Sequence, residues 1–195
     1  MKLFFLSIIF TLNLSAFAQL KPIYFRGETI VQDSTLATAY GVYGKLSGDG
    51  LYALKIFDLN NNLKATGTYK DEDLKIPHGA FVYYEDVDFF NVANNENFAI
   101  KGKNRFVSGK GTFADGQLTG RWVSFFPNGK IMNVTTYVRS VKHGFHGKYN
   151  RNGKIITSGA YYVGEKDGEW LSNNGKIKEM YVKGVKQEYS KNKKN

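Results

Sequence analysis

Aromatic and β-branched residues recur along the chain in short runs that glycine and asparagine separate. One run extends from Ala80 to Tyr84, and another extends from Trp122 to Phe126. Runs of this composition suit a pleated, half-buried strand. No segment shows a convincing apolar period of about 3.6 residues, which is typical of an amphipathic helix. The pattern therefore predicts an all-β chain in which helix is scarce.

The runs follow a repeat of about 24 residues. Its clearest marks are rings and glycines that recur at intervals of 24: Phe113, Tyr137 and Tyr161, then Gly120, Gly144 and Gly168. Weaker matches extend the pattern upstream, so that five and a half units cover roughly residues 37–189. One hairpin cannot bury its apolar face alone, whereas stacked neighbours can. The recurring rings are therefore the predicted core, and Trp122 and Trp170, which share one slot, are both expected inside.

Two asparagine–glycine pairs lie between predicted strands, at Asn128-Gly129 and at Asn152-Gly153. This dipeptide tolerates the positive φ of a type I′ hairpin turn, so such turns are predicted at both places. The recurring glycines at 120, 144 and 168 are predicted to mark the bend at the other end of each hairpin. Each unit is thus expected to run as strand, turn, strand, turn.

The units from Gly111 to Ile177 resemble the MORN repeat, in the variant found in exported bacterial proteins. The match rests on the ring, glycine and tryptophan positions and on the ending Asn128-Gly129-Lys130-Ile131. The clearest units span residues 109–184 of a repeat domain at 19–189, with an insertion at about 85–108. The resemblance implies one elongated, twisted sheet of antiparallel hairpins. It also implies a scaffold or binding module rather than an enzyme.

The first 18 residues have the form of a secretory signal peptide. Lys2 opens a basic region, an apolar stretch runs from Leu3 to Leu14, and small residues precede an expected cleavage between Ala18 and Gln19. The apolar stretch is shorter than the roughly 20 residues that a transmembrane helix needs. The sequence therefore predicts export to the periplasm or beyond, with no transmembrane helix in the mature form.

The chain of 195 residues contains no cysteine and has a formal net charge of +10. The lack of cysteine excludes disulfides, thiol nucleophiles and cysteine-bound metals, and it argues against a lipoprotein anchor. Lysines crowd the end of the chain, before and within a basic tail at 190–195. They are the candidate contacts to an anionic surface: Lys186, Lys191, Lys193 and Lys194. No nucleic acid is expected as a partner, because the aromatic residues follow the repeat and export removes most nucleic acid from reach.

The candidate metal motifs are weak. His78 and His143 share the repeat position before the bend glycine, and His146 falls in the tryptophan slot, so repeat position accounts for all three. The segment from Asp58 to Asn62 begins like a calcium loop, but it lacks the glycine and the glutamate that such a loop needs further on. The histidines show no pattern of a base beside a nucleophile. The chain is therefore expected not to be an enzyme and to need no metal or cofactor.

The insertion is the most individual segment of the chain. Its candidate partner surface comprises Phe89, Phe90, Phe98 and Arg105. Long excursions often carry binding, which favours a recognition loop. The alternative is an elongated hairpin whose phenylalanines join the core, and we prefer this second interpretation.

Together these patterns predict a non-enzymatic exported protein that acts as a protein-binding or scaffold module in the bacterial cell envelope. Its predicted partner is an envelope protein. The alternative function is peripheral binding to anionic membrane lipid or to envelope glycan through the basic residues. Aromatic sheet edges could also pair between copies, so the sequence leaves the oligomeric state open.

Overall fold

A computed structural model describes residues 21–27, 29–102 and 104–188 of the chain. The strands are β1 (Lys21–Arg26), β2 (Thr29–Val31), β3 (Ala39–Lys45), β4 (Tyr52–Asp58), β5 (Leu63–Tyr69), β6 (Gly79–Asp86), β7 (Arg105–Ala114), β8 (Gln117–Phe125), β9 (Ile131–Val138), β10 (Val141–Tyr149), β11 (Ile155–Tyr162), β12 (Glu165–Ser172), β13 (Ile177–Val182) and β14 (Val185–Gln187). One helix, α1 (Val87–Asn94), and a 3₁₀ turn at Ser34–Leu36 complete the described elements. Helix is scarce, as predicted.

The strands form one open antiparallel sheet. From β4 to β14 each strand pairs with the strand before it, while β1 lies between β3 and the edge strand β2. The strands β8, β10 and β12 begin at 117, 141 and 165, so they keep the interval of 24 residues. This arrangement confirms the predicted all-β array of antiparallel hairpins.

One face of the sheet, which we call the front face, carries the rings of the repeat. Cα partners on neighbouring strands project their side chains to the same face, and alternate residues of a strand project to opposite faces. By this rule each strand from β6 to β13 gives at least one ring to the front face: Phe81 and Tyr83, Phe113, Trp122, Tyr137, His146, Tyr161, Trp170 and Tyr181. The centroids of Phe113 and Trp122 lie 5.1 Å apart, edge to face. The front face is therefore a ladder of rings.

Each tryptophan packs against a glycine of the preceding strand. A Cβ atom added to Gly111 would overlap the indole of Trp122, and one added to Gly159 would overlap the indole of Trp170. The same relation holds earlier in the chain, between Gly67 and Phe81. A side chain larger than hydrogen at these glycines would push the ring off the sheet.

The glycine contact also directs the indole N–H. Trp122 donates it to the carbonyl oxygen of Thr112 at 3.1 Å, and Trp170 donates it to that of Ala160 at 3.0 Å. In both cases the acceptor is the residue after the glycine. The polar atom of each ring is thus satisfied by a backbone hydrogen bond.

The two tryptophans differ in burial. Trp170 is 1% exposed, because neighbouring rings surround it and Nζ of Lys166 lies 4.4 Å from its ring centroid. Trp122 is only half-buried, and the position equivalent to Lys166 before it is Leu118. Trp170 therefore lies inside as predicted, whereas Trp122 does so only in part.

The two kinds of hairpin turn lie at opposite ends of the strands, and their types differ from the prediction. At Asn128-Gly129 the N–H of Phe126 donates to Lys130 and that of Gly129 to Phe126, which makes a three-residue loop. Within this loop only the glycine has positive φ, so the predicted type I′ turn is wrong. Type I′ geometry, with positive φ at both central residues, occurs at the other end: Asp115-Gly116, Arg139-Ser140, Val163-Gly164 and Lys183-Gly184.

The recurring glycines at 120, 144 and 168 lie inside strands, not at the hairpin bends as predicted. Gly120 has φ 64, Gly144 has φ 94 and Gly168 has φ 72. Glycine adopts such angles without the penalty that a Cβ imposes. Their Cα partners are the ladder rings of the next strand: Tyr137, Tyr161 and Tyr181.

The insertion folds as helix α1 and a returning segment that pack against one end of the sheet. Asp86 caps the helix by accepting the N–H groups of Asp88 and Phe89. The inner side of the helix joins a compact cluster: Val87, Phe90, Phe98, Phe106 and Phe126. Phe90, Phe98 and Phe106 therefore join the core, as the preferred interpretation holds, although through a helix instead of an extended hairpin, while Phe89 stays exposed.

The contact between glycine and ring predicts a sharp contrast between two glycines of β7. We expect Gly111→Ala to lower the free energy of unfolding by about 1–3 kcal/mol, because the added methyl displaces Trp122. Gly109→Ala is the matched control, since its nearest neighbour is the carbonyl oxygen of Val123 at 3.6 Å. Urea denaturation of both variants checks this expectation, and equal effects would contradict it.

Candidate functional site

The four type I′ turns form a row along one end of the sheet, which we call the tip row (residues 115–116, 139–140, 163–164 and 183–184). The second residue of each turn donates its N–H to a carbonyl of the preceding hairpin. These bonds measure 2.8–2.9 Å and run from Gly116 to Pro77, from Ser140 to Leu118, from Gly164 to Lys142 and from Gly184 to Lys166. Neighbouring tips are therefore fixed relative to one another.

The residue before the glycine at 79, 144 or 168 supports the next tip. Nδ1 of His143 accepts the N–H of Val163 at 3.5 Å. Two equivalent positions accept an N–H from the next turn in the same way: His78 from Asp115 at 3.3 Å and Asp167 from Lys183 at 3.4 Å. The repeat position that carries two histidines is thus a position for a hydrogen-bond acceptor.

The last three tips expose apolar side chains, which we call the back strip. They are 42–64% exposed: Val138, Val141, Tyr162, Val163, Val182 and Val185. Val138 follows the ladder ring Tyr137, and Val182 follows Tyr181, so both project from the face opposite the ladder. Their Cα partners across each turn are Val141 and Val185, which places these residues on the same side. The strip is an exposed apolar row, which often marks an interaction site.

Val163 is the most unusual member of the back strip. It lies at the first central position of a type I′ turn with φ 49, where the first tip has Asp115. A β-branched residue is a genuine outlier at positive φ, and the clash costs about 1–2 kcal/mol. The side chain is 61% exposed, so burial in the fold does not offset this cost. The residue therefore indicates a role outside folding.

Cations share the last three tips with the back strip. The segments 138–142, 162–166 and 182–186 contain one acidic residue, Glu165. They contain five basic residues: Arg139, Lys142, Lys166, Lys183 and Lys186. Nζ of Lys142 lies 5.1 Å from the centroid of Tyr161, so this cation is held against the ladder on the front face. The tips are thus apolar behind and basic in front.

His146 interrupts the ladder between the two tryptophans. Thr135 stands at the repeat position where the tryptophans have a glycine. Its Oγ1 lies 2.9 Å from Nδ1 of His146. Burial lowers the pKa of His146, and the nearby lysines 142, 166 and 148 lower it further. In this unit of the repeat, His146 thus replaces the tryptophan and Thr135 replaces the glycine on which the tryptophan packs elsewhere.

The structure separates the four predicted partner residues of the insertion. Phe90 is 2% exposed and Phe98 is 9% exposed, so neither is available to a partner, and this part of the prediction is wrong. Arg105 is part-buried; it donates to the carbonyl oxygens of Leu63 and Tyr84. Phe89 alone of the four is well exposed, at 67%.

The predicted basic contacts and the cleavage site lie mostly outside the described residues. Lys186 is exposed in β14, and its Nζ lies 2.7 Å from Oε1 of Glu179. Lys191, Lys193, Lys194, Ala18 and Gln19 are outside the described ranges. Sequence reasoning missed the back strip, because it becomes contiguous only when the turns and the strand register are known.

The described ranges hold no group of three or more histidine and acidic side chains placed to bind a metal ion. Within the same ranges no helix is long and apolar enough to cross a membrane. Comparisons with protein-family models, with curated proteins and with solved structures found no match.

The lowered pKa of His146 predicts that stability depends on pH. The unfolded chain binds this proton more readily than the fold does. The contribution of neutral His146 is therefore complete above its ordinary pKa of about 6.5 and is lost as pH falls below it. We expect the thermal midpoint to drop between about pH 7 and pH 5, and His146→Phe to reduce this drop. Circular dichroism melts measure both, and an undiminished drop in the variant would refute the assignment.

Proposed function

We propose that the protein is a non-enzymatic, exported module that attaches to an anionic membrane surface of the cell envelope through its tip row. The carrying observation is the back strip, with the strained and exposed Val163 at its centre. Apolar side chains of this kind enter the boundary between headgroups and acyl chains, while adjacent cations meet anionic headgroups. Each such cation contributes about 1 kcal/mol, which salt screens.

The composition of the strip favours lipid over glycan. Five of its six members are valines, and Tyr162 is the sixth. Sugar rings bind proteins largely by stacking on aromatic faces, which valines do not offer. Membership in the MORN repeat family is part of this proposal, supported by the hairpin array and by the interval of 24 residues.

An envelope protein as partner is the second proposal, and one observation favours it. Phe89 and Val92 lie three residues apart on α1, and their side chains are 67% and 85% exposed. They share the outer side of the helix, where an apolar side chain of a partner protein could pack. Two residues form a small patch against the roughly 800 Å² per partner of a stable interface. The lipid surface therefore ranks first.

Val163→Asn tests the lipid proposal, because it should separate binding from stability. Asparagine tolerates positive φ, so we expect the variant to unfold at higher temperature than the native chain. The same change removes an apolar side chain worth about 1.5 kcal/mol in lipid, so affinity for anionic vesicles should fall about tenfold. Co-sedimentation with phosphatidylcholine vesicles, with and without phosphatidylglycerol, measures this affinity at low salt and at about 0.15 M salt.

The matched control is Leu59→Asn, which removes a side chain of similar exposure (63%) from the turn between β4 and β5, away from the tip row. It should leave vesicle binding unchanged. Binding to neutral vesicles alone, or equal loss in both variants, would overturn the proposal. Vesicle binding that Phe89→Ser weakens and Val163→Asn does not would place the contact on α1 instead.

A further inference from the structure

An apolar groove of about 530 Å³ opens on the front face between β1 and β7, away from the tip row. Its floor is built from buried side chains: Phe25, Ala39, Leu54 and Phe81. Half-buried Tyr69 also lines it, and burial raises the pKa of its hydroxyl. Small-molecule sites usually occupy about 300–1,000 Å³ and have this largely apolar lining with a few polar groups.

One end of the groove carries a half-buried carboxylate. Glu85 lines the groove, and its Cα partner is Phe106 of the cluster around α1. Burial raises the pKa of Glu85; Asp86 acts in the same direction, whereas Arg105 opposes it. Among the described residues no cation lies within ion-pair distance of Glu85.

The other charges near this end are either already engaged or free to turn into water. Arg105 pairs with Asp58 at 3.5 Å, and Asp86 caps helix α1. Lys64 also lines the groove, but it is exposed on a long, flexible stem. Among the described residues that line the groove, Glu85 is therefore the charged residue that is neither ion-paired nor exposed.

We infer that this groove binds a small amphiphile whose hydrocarbon part fills the apolar floor and whose amine donates to the carboxylate of Glu85. An ammonium placed there would form a charge-assisted hydrogen bond with the Glu85 carboxylate and would give this half-buried charge an ion-pair partner. A fatty acid would set its carboxylate against Glu85, so the site discriminates between chains of equal length by the sign of the head group. This inference is independent of the lipid attachment proposed for the tip row.

The experiment uses the fluorescence of N-phenyl-1-naphthylamine, which rises in apolar sites, with the purified protein. Dodecylamine should displace this probe at about tenfold lower concentration than dodecanoate, the ratio that one charge-assisted hydrogen bond gives. Ala65→Trp, which fills the groove from β5, should abolish probe binding. Ala80→Trp is the matched control on the opposite face of β6, and it should leave probe binding unchanged.

Glu85→Gln keeps the shape of the groove and removes its charge, so it should retain the probe and lose the preference for the amine. Probe binding that survives Ala65→Trp would place the site elsewhere and overturn the inference. Equal displacement by dodecylamine and dodecanoate, or a preference that survives Glu85→Gln, would overturn the assigned ligand class. Vesicle binding through the tip row should be unchanged in Ala65→Trp, which keeps this result separate from that proposal.

Discussion

The structure depends on one contact, the packing of a large ring on a glycine of the preceding strand. Most of the described sheet forms a single layer, so no second sheet buries its rings. The rings are therefore buried mainly by neighbouring side chains on the same face. Gly111 lets the indole of Trp122 approach the backbone, and Gly159 does the same for Trp170. The indole N–H then reaches the next carbonyl, which fixes the ring orientation. Glycine and ring positions must therefore recur together, and this requirement sets the period of the sequence.

The contact also divides the molecule into surfaces with different roles. The ladder of rings occupies the front face, and lysines near the tips lie over its rings. The face behind the last three tips presents apolar side chains that the fold leaves exposed. Val163 even costs stability where it stands, which is why a function outside folding best accounts for it. Attachment through the tips would leave the groove near β1–β7, on the front face, open to its own ligand.

The repeat and the hairpin order could be predicted from sequence, because the ring and glycine positions recur at a constant interval. The turns could not be assigned correctly, since Asn-Gly serves both as a type I′ turn and as the end of a three-residue loop. The dipeptide Asp115-Gly116 is typical of a type I′ turn, but Arg139-Ser140 has no residue that indicates one. Helix α1 is too short to show a helical period. The back strip depends on which residues follow a ring across a known register, which only the structure supplies.

A double-mutant cycle at Thr135 and His146 tests the central claim most directly. His146→Trp alone places an indole over a threonine and should destabilise the protein by about 1–3 kcal/mol. Thr135→Gly alone removes the hydrogen bond to His146 and adds backbone freedom, so it should also destabilise. The double variant restores the pair found at the other two tryptophans, and urea denaturation should show that it recovers at least about 1 kcal/mol relative to the sum. Strictly additive effects would contradict the claim that ring and glycine act as one unit.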